Sequence, residues 1–371
     1  MKFLPSNQIT LSQFFFFMLH AQVGLAILSL PHDLSEKVGH DGWISIIISA
    51  LFVQLLLFLY YYLMKQFPDK TFYEVTQTVF GPFLGKCLNY IIILYYLIYS
   101  AHFAYQCTRI LTIWNYYNTP FWVIVTLLIF IGFYIVNSDL SPIGRFLIIA
   151  SVVILLMVYS QFWDISELNY HYLLPIGEAK IWDIINESKL GLVAFAGFEI
   201  FMFIHPFVQS TKKKKLKIAS ICIWFVCLLY VKTILLVYMY FPNAAKNIDD
   251  PSIYFIIPMH FTVIERIEVF FIASWTVLMI TSQICFLYMG LLGLSRTRKK
   301  EHHNHYAKQA SILILIAILI AHRFENEQIL SAFKDSLMYY TILIVAVIPI
   351  ITVIVNLFQK KKQKGVAKDE T

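Results

Sequence analysis

The chain has 371 residues, 59% of them hydrophobic and 14% charged, with a formal net charge of +7 and a mean hydropathy of +0.69. Such a composition excludes a soluble globular protein and points to an integral membrane protein.

In chain order, apolar runs fall at 10–30, 43–64, 87–114, 121–136, 146–163, 190–208, 216–241, 269–294, 307–321 and 337–358. Most are about the length a helix needs to cross ~30 Å of hydrocarbon, so ten spans are expected. The fourth and ninth are short, and charge asymmetry decides whether they cross. With ten crossings and a cytoplasmic N-terminus, the cytoplasmic segments hold 20 Lys and Arg against 6 Asp and Glu, and the external ones 7 against 15. Deleting either short span strands a cluster such as TKKKKLK (211–217), SRTRKKEHHNHYAK (295–308) or the tail QKKKQKGVAKDE (359–370) outside, against the positive-inside bias. Both termini are therefore expected in the cytoplasm.

The first run follows a single weak charge in MKFLPSNQ and is too long for a signal-peptide core, so it is read as the first span. The longest polar insert, 163–189, is acidic and expected outside, with a short interfacial helix around Trp182 to Ser188. A second outer segment, 241–268, carries three prolines and reads equally as a membrane-lying gate or a connector. Cys87, Cys107, Cys222, Cys227 and Cys285 all fall in spans and show no disulfide or metal spacing. In EHHNH (301–305), His302, His303 and His305 are read as solvated, and no metal or cofactor is expected. Topology accounts for the lysine clusters, which can also meet anionic lipid; no nucleic-acid partner is expected.

Ten spans divide into five and five. Because five is odd, the second half enters the membrane opposite to the first, which is the geometry of an inverted repeat. The chain is accordingly read as one transmembrane domain over 1–371. Its first repeat covers about 9–163 and its second about 189–321, the helix at 337–358 completes it, and 359–371 forms a basic cytoplasmic tail. In such folds the first helix of each half is broken near mid-membrane, where freed backbone groups bind polar ligands. QVGLAILSLP (22–31) in span one and GLVAFAGFEI (191–200) in span six carry small residues at those places. The candidate ligand-binding residues are Gly24, Ala26 and Ile27 at the first break, and Ala194, Ala196, Gly197, Phe198 and Glu199 at the second. The glycines can equally be packing contacts in unbroken helices.

The sequence resembles the B subunits of bacterial spore germinant receptors, a branch of the amino acid, polyamine and organocation transporter superfamily. The match runs from ITLSQFFFFMLHAQVGLAILSLPHDLSEKVGHDGWISIII through FAGFE to the lysine-rich tail, and GHDGWIS is its most specific block. The resemblance implies a LeuT-like fold with a membrane-buried site for a germinant such as an amino acid. It also implies residence in the spore inner membrane beside separate A and C subunits. The sequence departs from the family pattern at Ala26, where a second glycine is usual, and at His32, where arginine usually follows the proline.

Ionisable residues at mid-membrane are costly and are functional candidates by default. Glu199 and Lys232 meet that test, and a contact between them is one possible pairing. Arg109 lies near a span end and is read as an interfacial anchor. Tyr95, Tyr99, His102 and Gln106 form a polar stripe on span three, and Thr281 to Gln283 a polar cluster on span eight. Tyr99, His102, Thr281 and Ser282 are thus candidates for lining the site, with plain interhelical hydrogen bonding as the alternative. No catalytic motif is present, and the chain is not expected to be an enzyme. Two functions fit: a germinant-sensing receptor subunit and a secondary amino acid transporter, for which Glu199 offers a route to proton coupling.

Overall fold

The computed structural model describes residues 7–161, 168–241, 245–248, 250–258, 266–300 and 302–369, with side chains at 160, 327 and 362–369 left aside. Parts of the two expected outer loops (162–167, 242–244, 249, 259–265) and Glu301 of the histidine tract lie outside the described residues.

Residues preceding the first helix are tied to the far half of the chain. Ile9 N–H donates to Phe207 O at 2.9 Å and Gln209 N–H to Ile9 O at 2.9 Å, a one-rung parallel bridge between the entry to the first helix and residue 208. Thr10 then opens α1 (Leu11–Gln22) with a capping box: its Oγ1 accepts from Gln13 N–H at 3.2 Å while its own N–H donates to Gln13 Oε1 at 2.8 Å. The chain leaves helical geometry at Val23 and re-enters it as α2 (Ala26–Val38). After a 3₁₀ turn come α3 (Gly42–Gln66) and α4 (Phe72–Trp114). The latter is 43 residues long and kinked at Gly81–Pro82, where Gly81 has φ +82°. The short leg folds back on the long one, with Asn89 Nδ2 donating to Tyr73 O at 2.9 Å.

Beyond α5 (Phe121–Val136), the expected fifth span is two helices, α6 (Leu140–Ala150) and α7 (Val152–Ser160), parted at Ser151. The sixth expected span is also two: α8 (Ile181–Ala194) and α9 (Ile200–Ile204). This corrects one expectation. The interfacial helix expected at 182–188 is not a separate piece, because its backbone runs without interruption through Lys189 into the oily residues 190–194. Next come α10 (Lys212–Tyr240), the single turn α11 (Pro251–Tyr254), α12 (Ile267–Thr297) and α13 (Ala307–Arg323). The last stretch joins α14 (Glu327–Ile342) to α15 (Ile348–Asp369) through a π-helical turn at Leu343–Val347. That turn frees the Val345 carbonyl, which the buried Tyr60 hydroxyl takes up.

All named elements among the described residues are helical. Among the described residues seven helical runs are long and apolar enough to cross a membrane, and α5 is apolar but has only 16 residues. The helices that fall short in the first and sixth expected spans do so because they are interrupted. The core is centred on α12, of whose apolar window 83% is buried, against 28% for α13 at the periphery. The histidine tract divides: His303 is buried and hydrogen-bonded to Val136 O at 2.9 Å, contrary to a solvated reading, whereas His302 and His305 are exposed.

Candidate functional site

At the first break carbonyls of and between α1 and α2 lose helical partners, and several of them are met by side chains from elsewhere in the chain. Trp275 Nε1 on α12 donates to Gly24 O at 3.1 Å. Ser282 Oγ, two turns further on, donates to His20 O at 2.7 Å. The same hydroxyl explains the glycine. A Cβ on Gly24 would stand 2.8 Å from Ser282 Oγ and 3.2 Å from the Phe103 ring, so the break packs directly on α12 and α4. Pro31 has no N–H for the Ile27 carbonyl four residues back. Ser252 Oγ on α11 fills that place at 2.8 Å.

At the second break one capping group comes from within the turn itself. Gly197 adopts φ +112°, a left-handed conformation that side-chain-bearing residues rarely take. A Cβ there would lie 2.7 Å from both the carbonyl carbon and the oxygen of Ala21. The unwound turn at Ala196–Glu199 is therefore pressed against the backbone of α1. Glu199 Oε2 accepts from the Gly197 N–H at 2.7 Å, and Tyr95 Oη donates to Oε1 at 3.4 Å. The carboxyl is fully buried, with the rings of Tyr60, Tyr73 and Tyr96 close by. Among the described residues no Lys, Arg or His forms an ion pair with it, so hydrogen bonds hold it in place.

One side chain joins the two breaks. The buried Tyr230 hydroxyl of α10 lies 2.6 Å from Gln22 O, the last carbonyl of α1, and 3.1 Å from Ala194 O, the last carbonyl of α8. A phenol has one proton, so at any moment it donates to one carbonyl and leaves the other partly unmet. Beside it, Gln22 is buried with its Oε1 lacking any hydrogen-bond partner among the described residues, while its Nε2 donates to Met18 O at 2.9 Å. An unpaired acceptor and a shared donor at the meeting point of two helix ends can receive a ligand's polar group.

The sequence-predicted residues sort into three groups. Gly24, Ala194, Ala196, Gly197, Phe198 and Glu199 lie in or at the two adjoining breaks, with Ala26 and Ile27 opening α2 just beyond. Ala194, Ala196, Phe198 and Glu199 are all buried, and Phe198 stacks on Tyr60 at 5.4 Å. Ser282 packs on the first break itself, Tyr99 and Thr281 lie beyond the breaks, and all three make interhelical hydrogen bonds. Tyr99 Oη pairs with Thr341 Oγ1 at 2.6 Å, and Thr281 Oγ1 with His20 Nδ1 at 2.8 Å. His102 and Lys232 stand apart. His102 turns to Phe333 of α14, their rings 5.5 Å apart. Lys232 bonds Gln161 Oε1 at the end of α7, so the Glu199–Lys232 contact is replaced by separate partners for each. Arg109 pairs with Glu325 at 3.6 Å.

Sequence reasoning missed Tyr230, Trp275, Ser252, Gln22 and His20. His20 is the most telling: it is wholly buried, bridging Thr281, the Leu147 carbonyl at 2.9 Å and Ser151 Oγ at 3.0 Å where α6 gives way to α7. Its signal was available, since a histidine ten residues into an oily run meets the same cost argument that singled out Glu199. Tyr230 and Trp275 carried none, being two aromatics among 62.

A membrane protein of packed helices in which two are interrupted at one buried point is built like a secondary transporter. The solved structure of Mhp1, a nucleobase-cation-symport-1 family transporter, in a closed conformation with bromovinylhydantoin bound, matches with a TM-score of 0.59. It does so at 11% identity over 93% of this chain and 80% of that one, which establishes likeness of fold. The family model described as "Spore germination protein" (spore permease) matches residues 8–330, and the chain belongs to that family. Relatives include the spore germination protein YndE of Bacillus subtilis (strain 168), 22% identical over 98% of this chain and all of that protein. GerQB of Bacillus cereus is 22% identical over 86% and 87% of the two chains, and B2 of B. subtilis 23% over 97% and 98%. The chain is thus a multi-pass membrane protein of the spore germination family, and neither that family nor the fold neighbour is an enzyme.

Proposed function

We propose that the protein is the germinant-sensing membrane subunit of a spore germination receptor. It binds a small nutrient, in our reading an amino acid, between the two helix breaks. The observation that carries this is the meeting of the α1 and α8 ends on the Tyr230 hydroxyl, beside the unpaired Gln22 Oε1 and the self-capped turn of Glu199. The shared Tyr230 hydroxyl offers a donor to a ligand's carboxylate, and the Gln22 Oε1 and Glu199 acceptors offer partners to its amino group. Reading α1–α2 and α8–α9 as one interrupted crossing each, and counting α5, gives ten spans in a LeuT-like 5+5 inverted repeat with helices 1 and 6 broken and both termini cytoplasmic. We place it in the spore inner membrane, assembled with A and C receptor subunits. Ligand binding there favours one of two conformations, and the partners read that bias.

Spores carrying this receptor alone, challenged with single amino acids, test the proposal. At least one should trigger germination, and Glu199→Leu at equal abundance should abolish the response. A wild-type response in that variant removes the site assignment. The second reading, a secondary amino acid transporter coupled through Glu199, is favoured by the fold neighbour. Uptake of labelled amino acid by the isolated protein in vesicles decides for it.

A further inference from the structure

Away from the helix breaks, α4, α13 and α14 leave a lateral cleft of about 260 Å³. Its walls are Ala101 of α4, Ala317 and Ala321 of α13, and Leu330 and Phe333 of α14, all apolar. Polar groups at its rim already have partners. Glu325 is held by Arg109 at 3.6 Å and His322 at 3.1 Å, and Asn326 Oδ1 caps α14 by accepting from Ile329 N–H at 2.7 Å. His102 differs. It lines the same cleft, is 93% buried, and its imidazole makes no hydrogen bond with any described residue. A buried imidazole without a partner is expensive in a protein of this kind, and an apolar cleft offers no water network to supply one.

We propose that this cleft binds a small uncharged amphiphile, with an apolar body of about ten non-hydrogen atoms and one hydroxyl or carbonyl that hydrogen-bonds His102. The size follows from comparison with a dry cavity of about 150 Å³, which holds benzene. Selection against charged or zwitterionic molecules follows from the apolar walls, since the one rim carboxylate, Glu325, is already paired with Arg109 and hydrogen-bonded to His322. The site is separate from the germinant site and does not rest on that reading. It abuts α4 one turn from Tyr99, whose hydroxyl bonds Thr341 of α14, so its occupant holds α14 against the helix that also carries Tyr95.

The test uses the full-length protein in phosphatidylethanolamine/phosphatidylglycerol nanodiscs, titrated with 4-propylphenol and, as a hydroxyl-free control, propylbenzene. Binding is read by saturation-transfer NMR against empty nanodiscs. Saturable binding of the phenol is expected to be abolished by Ala317→Phe. His102→Phe should weaken phenol binding at least tenfold while changing propylbenzene less than twofold. Ala321→Leu is the second cleft-filling variant should Ala317→Phe fail to reach the membrane. Uptake indistinguishable from empty nanodiscs overturns the proposal. So does undiminished binding in the filled variants, or equal affinity for phenol and propylbenzene, which would mark the cleft as a bed for lipid chains.

Discussion

The two helix breaks solve the same problem in opposite ways. At Val23–Leu25 the freed backbone is satisfied from outside, by Trp275, Ser282 and Tyr230 on helices α12 and α10. At Phe195–Glu199 the turn's own amide is capped from within, by a carboxyl two residues away, with Tyr95 on that carboxyl and Tyr230 on the Ala194 carbonyl as outside partners. A break held mainly by its neighbours is expected to follow them more than one whose amide is capped from within. The difference teaches that α1 depends most on the surrounding bundle, and that the turn at Gly197 is packed directly against it.

The comparison breaks first at Gly197. Gly197→Leu combines left-handed strain with a clash on Ala21 backbone, and is expected to cost more than ~3 kcal/mol, seen as loss of monodisperse protein on extraction. For that reason it is a test of the fold, and the ligand question belongs to Glu199. Glu199→Leu leaves the Gly197 N–H buried and unpaired, an expected loss of about 1–3 kcal/mol in thermal unfolding. Glu199→Gln keeps an acceptor for that N–H and should unfold within about 1 kcal/mol of the parent. A germinant response that survives Gln but not Leu assigns the carboxyl to the turn. A response lost in both, at parental stability, assigns it to the ligand.

Tyr230→Phe removes the one donor shared between α1 and α8, and about 1 kcal/mol is expected to go with it. If the first break depends on its neighbours, this variant also increases hydrogen exchange at 23–25 more than at 195–199, and equal changes would erase the distinction. The smallest effect is expected for the pair Glu199→Gln and Lys232→Met. Because the two side chains have separate partners, their losses should add within about 0.5 kcal/mol, and charge reversal of both should rescue nothing.

Asp41 lies in GHDGWIS, the block most specific to the family resemblance, yet its part is structural. Its two carboxylate oxygens accept from Gly177 N–H at 2.9 Å and Ala179 N–H at 3.0 Å, pinning the outer loop onto the α2–α3 turn. Lys215 is a similar case. It lies in TKKKKLK, a run explained by topology, but its Nζ is turned inward to donate to His205 O at 2.7 Å just after α9. Charge statistics predict a side of the membrane for this run but say nothing of the contact, because one lysine among five looks like the others until the helix end it caps is in view.

By itself the sequence determined the solvent, the course of the oily helices and the places where two of them give way. It also showed that Glu199 needs a partner. These are local consequences of composition and residue size: small residues and proline weaken a helix wherever they fall, and a buried carboxyl is costly wherever it lies. Only the tertiary structure decided what meets the freed groups. Trp275 and Gly24 are 251 residues apart, Tyr230 and Gln22 208, and Ser252 and Ile27 225. No periodicity links such positions, because a hydrogen bond across helices is set by how the bundle packs and not by what lies near in the chain.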